Sequence, residues 1–129
     1  MLKVKKYNKN IYINKYIPTS GFIALAFFNV IFWREEYDHY LFNDRYDNYV
    51  KQVVNHENIH IAQMKDFCKW LPLGAIIFYI VYFFEWLYRI CKHGFKDAYS
   101  NISFEREAKQ YESSDLYLSY REKFKNYKL

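Results

Sequence analysis

The sequence predicts a small α+β domain, with a short antiparallel sheet followed by about three helices. Three observations predict it. The run "FIALAFFNVIFW" is rich in Phe, Ile and Val and carries one polar residue, Asn29. A capped and periodic stretch, "NYVKQVVNHENIHIAQMKDF", follows it. Two further helical stretches then differ sharply in polarity, one almost wholly apolar and one rich in charge.

Taken in order, residues 1–20 read as a polar N-terminal arm with scattered Ile and Tyr, closed by the turn signal "IPTSG". The basic start has no apolar core or small-residue cleavage site, so no secretory signal is expected. Residues 22–36 fit one or two buried strands, bent or turned at Asn29, with a short buried helix as the competing assignment. "YDHYLFNDRYDN" reads as a polar aromatic loop. Asp47 or Asn48 can cap a helix that runs to about Lys69, ahead of Pro72.

Residues 71–91 form the most apolar segment. Nothing from Leu71 to Phe84 is charged, and Glu85 and Arg89 then follow at i,i+4 spacing, suited to a structural ion pair. A span needs about 20 mostly apolar residues. The uncharged part falls short, so a buried core helix is favoured over a membrane span. Past Gly94, Ser100, Asn101 and Ser103 are possible caps for a last helix, "SFEREAKQYESSDLYLSYREKF". Residues 122–129 read as a solvated basic tail.

At 129 residues the chain has room for one domain, residues 1–129. Its 52% apolar and 23% aromatic content excludes disorder and collagen-like repeats. The net charge of +5 is spread along both ends without any nucleic-acid-binding signature, so a solvated basic surface is expected and a nucleic-acid partner is not. Cys68 and Cys91 make no disulfide framework, which points to the reducing cytoplasm, with membrane association through 71–91 as the alternative.

The chemistry sits in His56-Glu57-Asn58-Ile59-His60. On a helix, i and i+4 point the same way, so both imidazoles converge on one point and suit two corners of a tetrahedral zinc site. Glu57 beside them suits a general base for water activated by the metal. Val53, Gln63, Met64 and Phe67 continue that face, which makes it inward and partly apolar. A third ligand is required. The extension HExxHxxGxxH fails, since Gln63 stands for the Gly and Asp66 for the last His. Without that Gly the helix continues and carries Asp66 off the His face, as a surface carboxylate. Glu85, Glu105 and Glu107 remain as candidates. Tyr99 and His93, in the loop before the last helix, are candidate oxyanion donors.

"NHENIHIAQ" followed by "FEREA" resembles the compact gluzincins. It is similar too to the zinc-binding core of the integral-membrane prenyl-protein endopeptidases and of antibiotic-sensor peptidases, and to a group of small bacterial proteins with the same layout. The likeness covers roughly residues 22–111. It implies a zincin-like domain with Zn2+ held by His56, His60 and Glu105, and with Ala108 as the small residue that lets the helices approach. It also implies a peptide or protein substrate, and hydrolysis with Glu57 as base. The chain departs from the pattern at Lys109, where an Asp that orients a zinc histidine is frequent, leaving Gln63 or Glu107 as substitutes. In gluzincins a strand preceding the HExxH helix pairs with the substrate, and "FIALAFFNVIFW" is in the matching order. The rival expectations are a metal-binding zincin that is inert or closed by its own arm or tail, and a small membrane-associated structural protein with no metal site.

Overall fold

A computed structural model describes residues 1–127. It is α+β, with a four-stranded sheet leading into helices. Strands β1 (Leu2–Lys6) and β2 (Lys9–Asn14) make the first hairpin, and β3 (Ala24–Phe27) and β4 (Val30–Arg34) the second. The sheet order is β1-β2-β4-β3. Both hairpins are antiparallel, but β2 and β4 run parallel, Ile11 opposite Ile31 and Ile13 opposite Trp33. The sheet is therefore mixed and not the antiparallel one expected.

The expected N-terminal arm is in fact half of that sheet. Ile11 and Ile13 alternate with Tyr12 and Asn14, the period-2 signature of a half-buried strand. Tyr7 and Asn8 both sit at positive φ, 51° and 64°, as a two-residue hairpin turn of the primed type requires. The second hairpin turns at Phe28 (φ 55°) and Asn29, where the sequence placed the bend.

One face of the sheet is a fully buried layer of Ile11, Ile13, Ile31 and Trp33. Leu41, from the one-turn helix α1 (His39–Phe42), and Val50 and Val54 of α2 (Asp47–Phe67) cover it. "YDHYLFNDRYDN" is thus short helical turns in place of a loop. The long helix stops at Phe67, two residues before the expected end. Cys68 is extended, and Pro72 lies in the first turn of α3 (Leu71–His93).

Gly74 allows the close approach of α2 and α3. A β-carbon there would lie 2.5 Å from the Met64 carbonyl oxygen and 2.6 Å from that of Cys68. Helix α3 buries one stripe, Gly74, Ala75, Phe78, Glu85 and Arg89. Its outer face is exposed, with 22% of its most apolar window buried, so the core-helix expectation holds for one side of the helix alone.

The last helix is broken. After α4 (Ala98–Asn101), α5 runs Ser103–Tyr111 and the single turn α6 runs Tyr117–Tyr120. Neither Ser100, Asn101 nor Ser103 caps α5. Its N-cap position is Ile102, and the buried Glu85 carboxylate accepts from the Ser103 N–H and hydroxyl, both at 2.6 Å. Glu85 also pairs with Arg89 at 3.3 Å, and so fixes the start of α5 against α3. The tail folds back. Tyr127 stacks on Phe67 and donates to Asp66 Oδ2 at 2.6 Å, so the solvated-tail expectation fails through Tyr127.

Candidate metal centre

Helix α2 presents His56 and His60 one turn apart, and α5 lies across them with Glu105 in its first turn. His56 Nε2 and His60 Nε2 are 3.2 Å apart. Glu105 Oε1 is 3.2 Å from the first and 3.3 Å from the second. The three atoms form a nearly equilateral triangle. A tetrahedral ion with ligands at about 2.0–2.1 Å has edges of about 3.3 Å, so this triangle has the dimensions of one face of a zinc site.

The far side of each imidazole fixes its tautomer. His60 Nδ1 lies 2.8 Å from Gln63 Oε1. That amide cannot be reversed, because its Nε2 donates to the Phe104 carbonyl at 3.0 Å and to Glu107 Oε1 at 3.1 Å. His56 Nδ1 lies 2.7 Å from Glu112 Oε2. Both Nδ1 atoms face oxygen acceptors and must carry the hydrogen, which leaves both Nε2 lone pairs pointing at Glu105. Converging lone pairs in a buried site call for a cation between them, a metal or a proton. Tyr82 donates to the other Glu105 oxygen at 2.7 Å, and that oxygen also lies 3.2 Å from His60 Nε2, so both carboxylate oxygens are within reach of the histidines.

In the metal-free protein the proton takes that place. Burial would lower the His60 pKa, but the charge and hydrogen bond of Glu105 outweigh it and hold the group at about 9. The same balance raises His56. Burial would raise Glu105, yet the His60 charge and the two imidazole hydrogen bonds keep it well below the ordinary carboxylate range.

Glu57 is buried beside the triad, in the wall of a cleft of about 740 Å³ that also reaches His60 and Glu105. Burial raises its pKa, opposed by the two imidazoles. The remaining cleft walls are mostly apolar and aromatic, drawn from β3, from α3 and from the loop at Tyr16–Thr19. Tyr99 also lines the cleft, its pKa raised by burial and by the Glu105 charge next to it. His93 does not line it. It is the exposed last residue of α3, which removes it as an oxyanion donor. Glu107 stands behind Gln63 rather than on the triad, and Glu85 is committed to Ser103 and Arg89.

Asp66 points away from the histidines as expected but is not a surface group. It is 8% exposed and clamped by Arg121 at 2.9 and 2.7 Å. Glu112 was not foreseen. It lies seven positions after Glu105, where α5 ends, and a position that far from the motif carries no local signal. Lys109 of its own helix pairs with it at 3.1 Å, but Gln52 and His56, which tie it to the triad, are on another helix.

Strand β3 is the sheet edge beside this cleft. Arg34 N–H donates to the Ile23 carbonyl at 2.9 Å, and antiparallel pairing alternates, so the backbone groups of Ala24 and Ala26 turn outward. Tyr79 donates to the Ala26 carbonyl. Comparison of the chain with protein-family models, curated proteins and solved structures returns no match, so no family is assigned.

Proposed function

We propose that this chain is a zinc-dependent peptidase of the zincin type, with His56, His60 and Glu105 as ligands and Glu57 as general base. The single observation that carries the proposal is the donor triangle, 3.2–3.3 Å on each side, with Nε2 set as the free lone pair on both rings. The donor set of two imidazoles and one carboxylate suits zinc and leaves a fourth position for water. Bound there, zinc supplies a Lewis acid that acidifies water and polarises a carbonyl.

The chain's own groups do the rest. Glu57, buried with its pKa raised, can take a proton from the attacking water and return it to the leaving amine. Tyr99, a neutral hydroxyl bonded to Glu105 in the metal-free protein, would have to turn from that carboxylate to donate to a developing oxyanion. An extended peptide laid along β3 would find the outward backbone of Ala24, while the aromatic walls receive an apolar side chain. The described part of the tail packs on Asp66 and Phe67, which do not line the cleft.

The test is metal content by elemental analysis, then hydrolysis of a quenched peptide library. Wild type is expected to hold one zinc per chain and to cleave. Glu105→Gln and His60→Ala should lose the metal, and Glu57→Gln should keep it while losing about 10²–10⁴-fold in rate. A wild-type chain that takes up no zinc on reconstitution sinks the proposal.

A further inference from the structure

We propose that the outward face of α3 is a docking surface for an anionic lipid bilayer, lying in the plane of the interface. The inference does not rest on the peptidase proposal. Leu73, Ile76, Ile80, Phe84 and Leu87 recur at three- and four-residue spacing along this face, and all are exposed, Phe84 at 63%. The helix's most apolar window has a mean hydropathy of 1.6. A contiguous apolar patch of this kind marks an interaction site.

Charge chooses the occupant. The apolar face is bracketed by exposed Lys69 at one end and exposed Lys92 and Lys96 at the other, with exposed Trp70 and Phe95 next to them. A second copy seated on this face would set lysine against lysine at the ends, whether the two helices ran parallel or antiparallel. An anionic headgroup layer instead pairs with both ends at once, and Trp70 suits the depth at which amphipathic rings collect.

The orientation follows from the other side of the helix. It carries the buried Glu85–Arg89 pair and the Ser103 contact, and packs on α2. Helix α2 shows water exposed Asn48 and Lys51. Lipid can therefore reach one side of α3, which suits a helix half-sunk in the interface and not one crossing it. Phe83 and Phe95 belong both to exposed surface and to the cleft wall, so the cleft mouth adjoins the docking face.

The experiment is flotation of the full chain with vesicles of phosphatidylcholine alone and of equal parts phosphatidylcholine and phosphatidylglycerol. Wild type should float with the anionic vesicles and be released by salt. Neutralising the three lysines (Lys69→Gln, Lys92→Gln, Lys96→Gln) should weaken partitioning on the order of 100-fold. Ile80→Glu with Phe84→Glu should abolish it while leaving the circular dichroism spectrum unchanged. Three results would overturn the proposal: no flotation of wild type with either vesicle; a salt-independent dimer that Ile80→Glu turns into monomer; or retention in membranes after alkaline carbonate extraction, which marks a span.

Discussion

Glu112 Oε2 lies 2.7 Å from His56 Nδ1, and the same carboxylate takes a hydrogen bond from Gln52 at 2.8 Å. A carboxylate that holds the back of a ligand histidine sets its tautomer and its aim, and loss of such a partner costs 10–100-fold in metal affinity as an order of magnitude. Glu112→Gln should therefore bind zinc about 10–100-fold more weakly than wild type in a chelator competition, with an unchanged circular dichroism spectrum. Equal affinities would show that Glu112 does not orient His56.

Metal uptake should depend steeply on pH. The His60 pKa is raised from 6.5 to about 9 in the metal-free protein by Glu105, against the pull of burial. A raised cationic group contributes stability that is fully present below pH 6.5 and is lost as pH climbs through about 9. The metal-free melting temperature should fall across that window. Zinc must displace the proton, so its affinity should rise over the same window, about ten-fold per pH unit for each proton released. Melting with and without chelator, beside zinc competition at several pH values, checks both signs.

Arg121 joins two carboxylates that have no other cation among the described residues. It pairs with Asp66 at 2.7 Å and with Glu107, in surroundings where all three side chains are almost fully buried. Removal of one partner strands the others in a low dielectric, at a cost of about 3–5 kcal/mol. Arg121→Met should show that loss in urea denaturation. Because Glu107 also receives the Gln63 amide that sets His60, zinc affinity should fall as well.

Gly74→Ala should destabilise by about 1–3 kcal/mol, since the new methyl meets two backbone carbonyls that cannot rotate away. A substitution on the outer face of the same helix, Ile76→Ala, meets no such obstacle and should change stability by less. Chemical denaturation of the two variants side by side measures the difference.

Much of this was legible in residues 47–67, because a helix repeats its face every three or four positions and the histidines obey that rule. The hairpin at Asn29 was legible for a different reason, a polar interruption in an apolar, aromatic run. The first hairpin was not read, since lysines outnumber the two buried isoleucines there and masked their alternation. The break in the last helix, where Asn55 donates to the Tyr111, Glu112 and Ser114 carbonyls, and the burial of Asp66 under Arg121 and Tyr127 depend on partners far away along the chain. No window around Asp66 contains those residues. The parallel pairing of β2 with β4 is likewise a matter of topology, which local pattern does not encode.

The triad is drawn from two helices, Glu105 lying 45 residues after His60 and 49 after His56, and α3 is made between them. During synthesis the histidine helix is made before Glu105 exists. A nascent chain at that stage carries two imidazoles and no carboxylate to complete them. The proposed metal site is complete only when α5 docks on α2, so an ion held there would report that the two helices have come together.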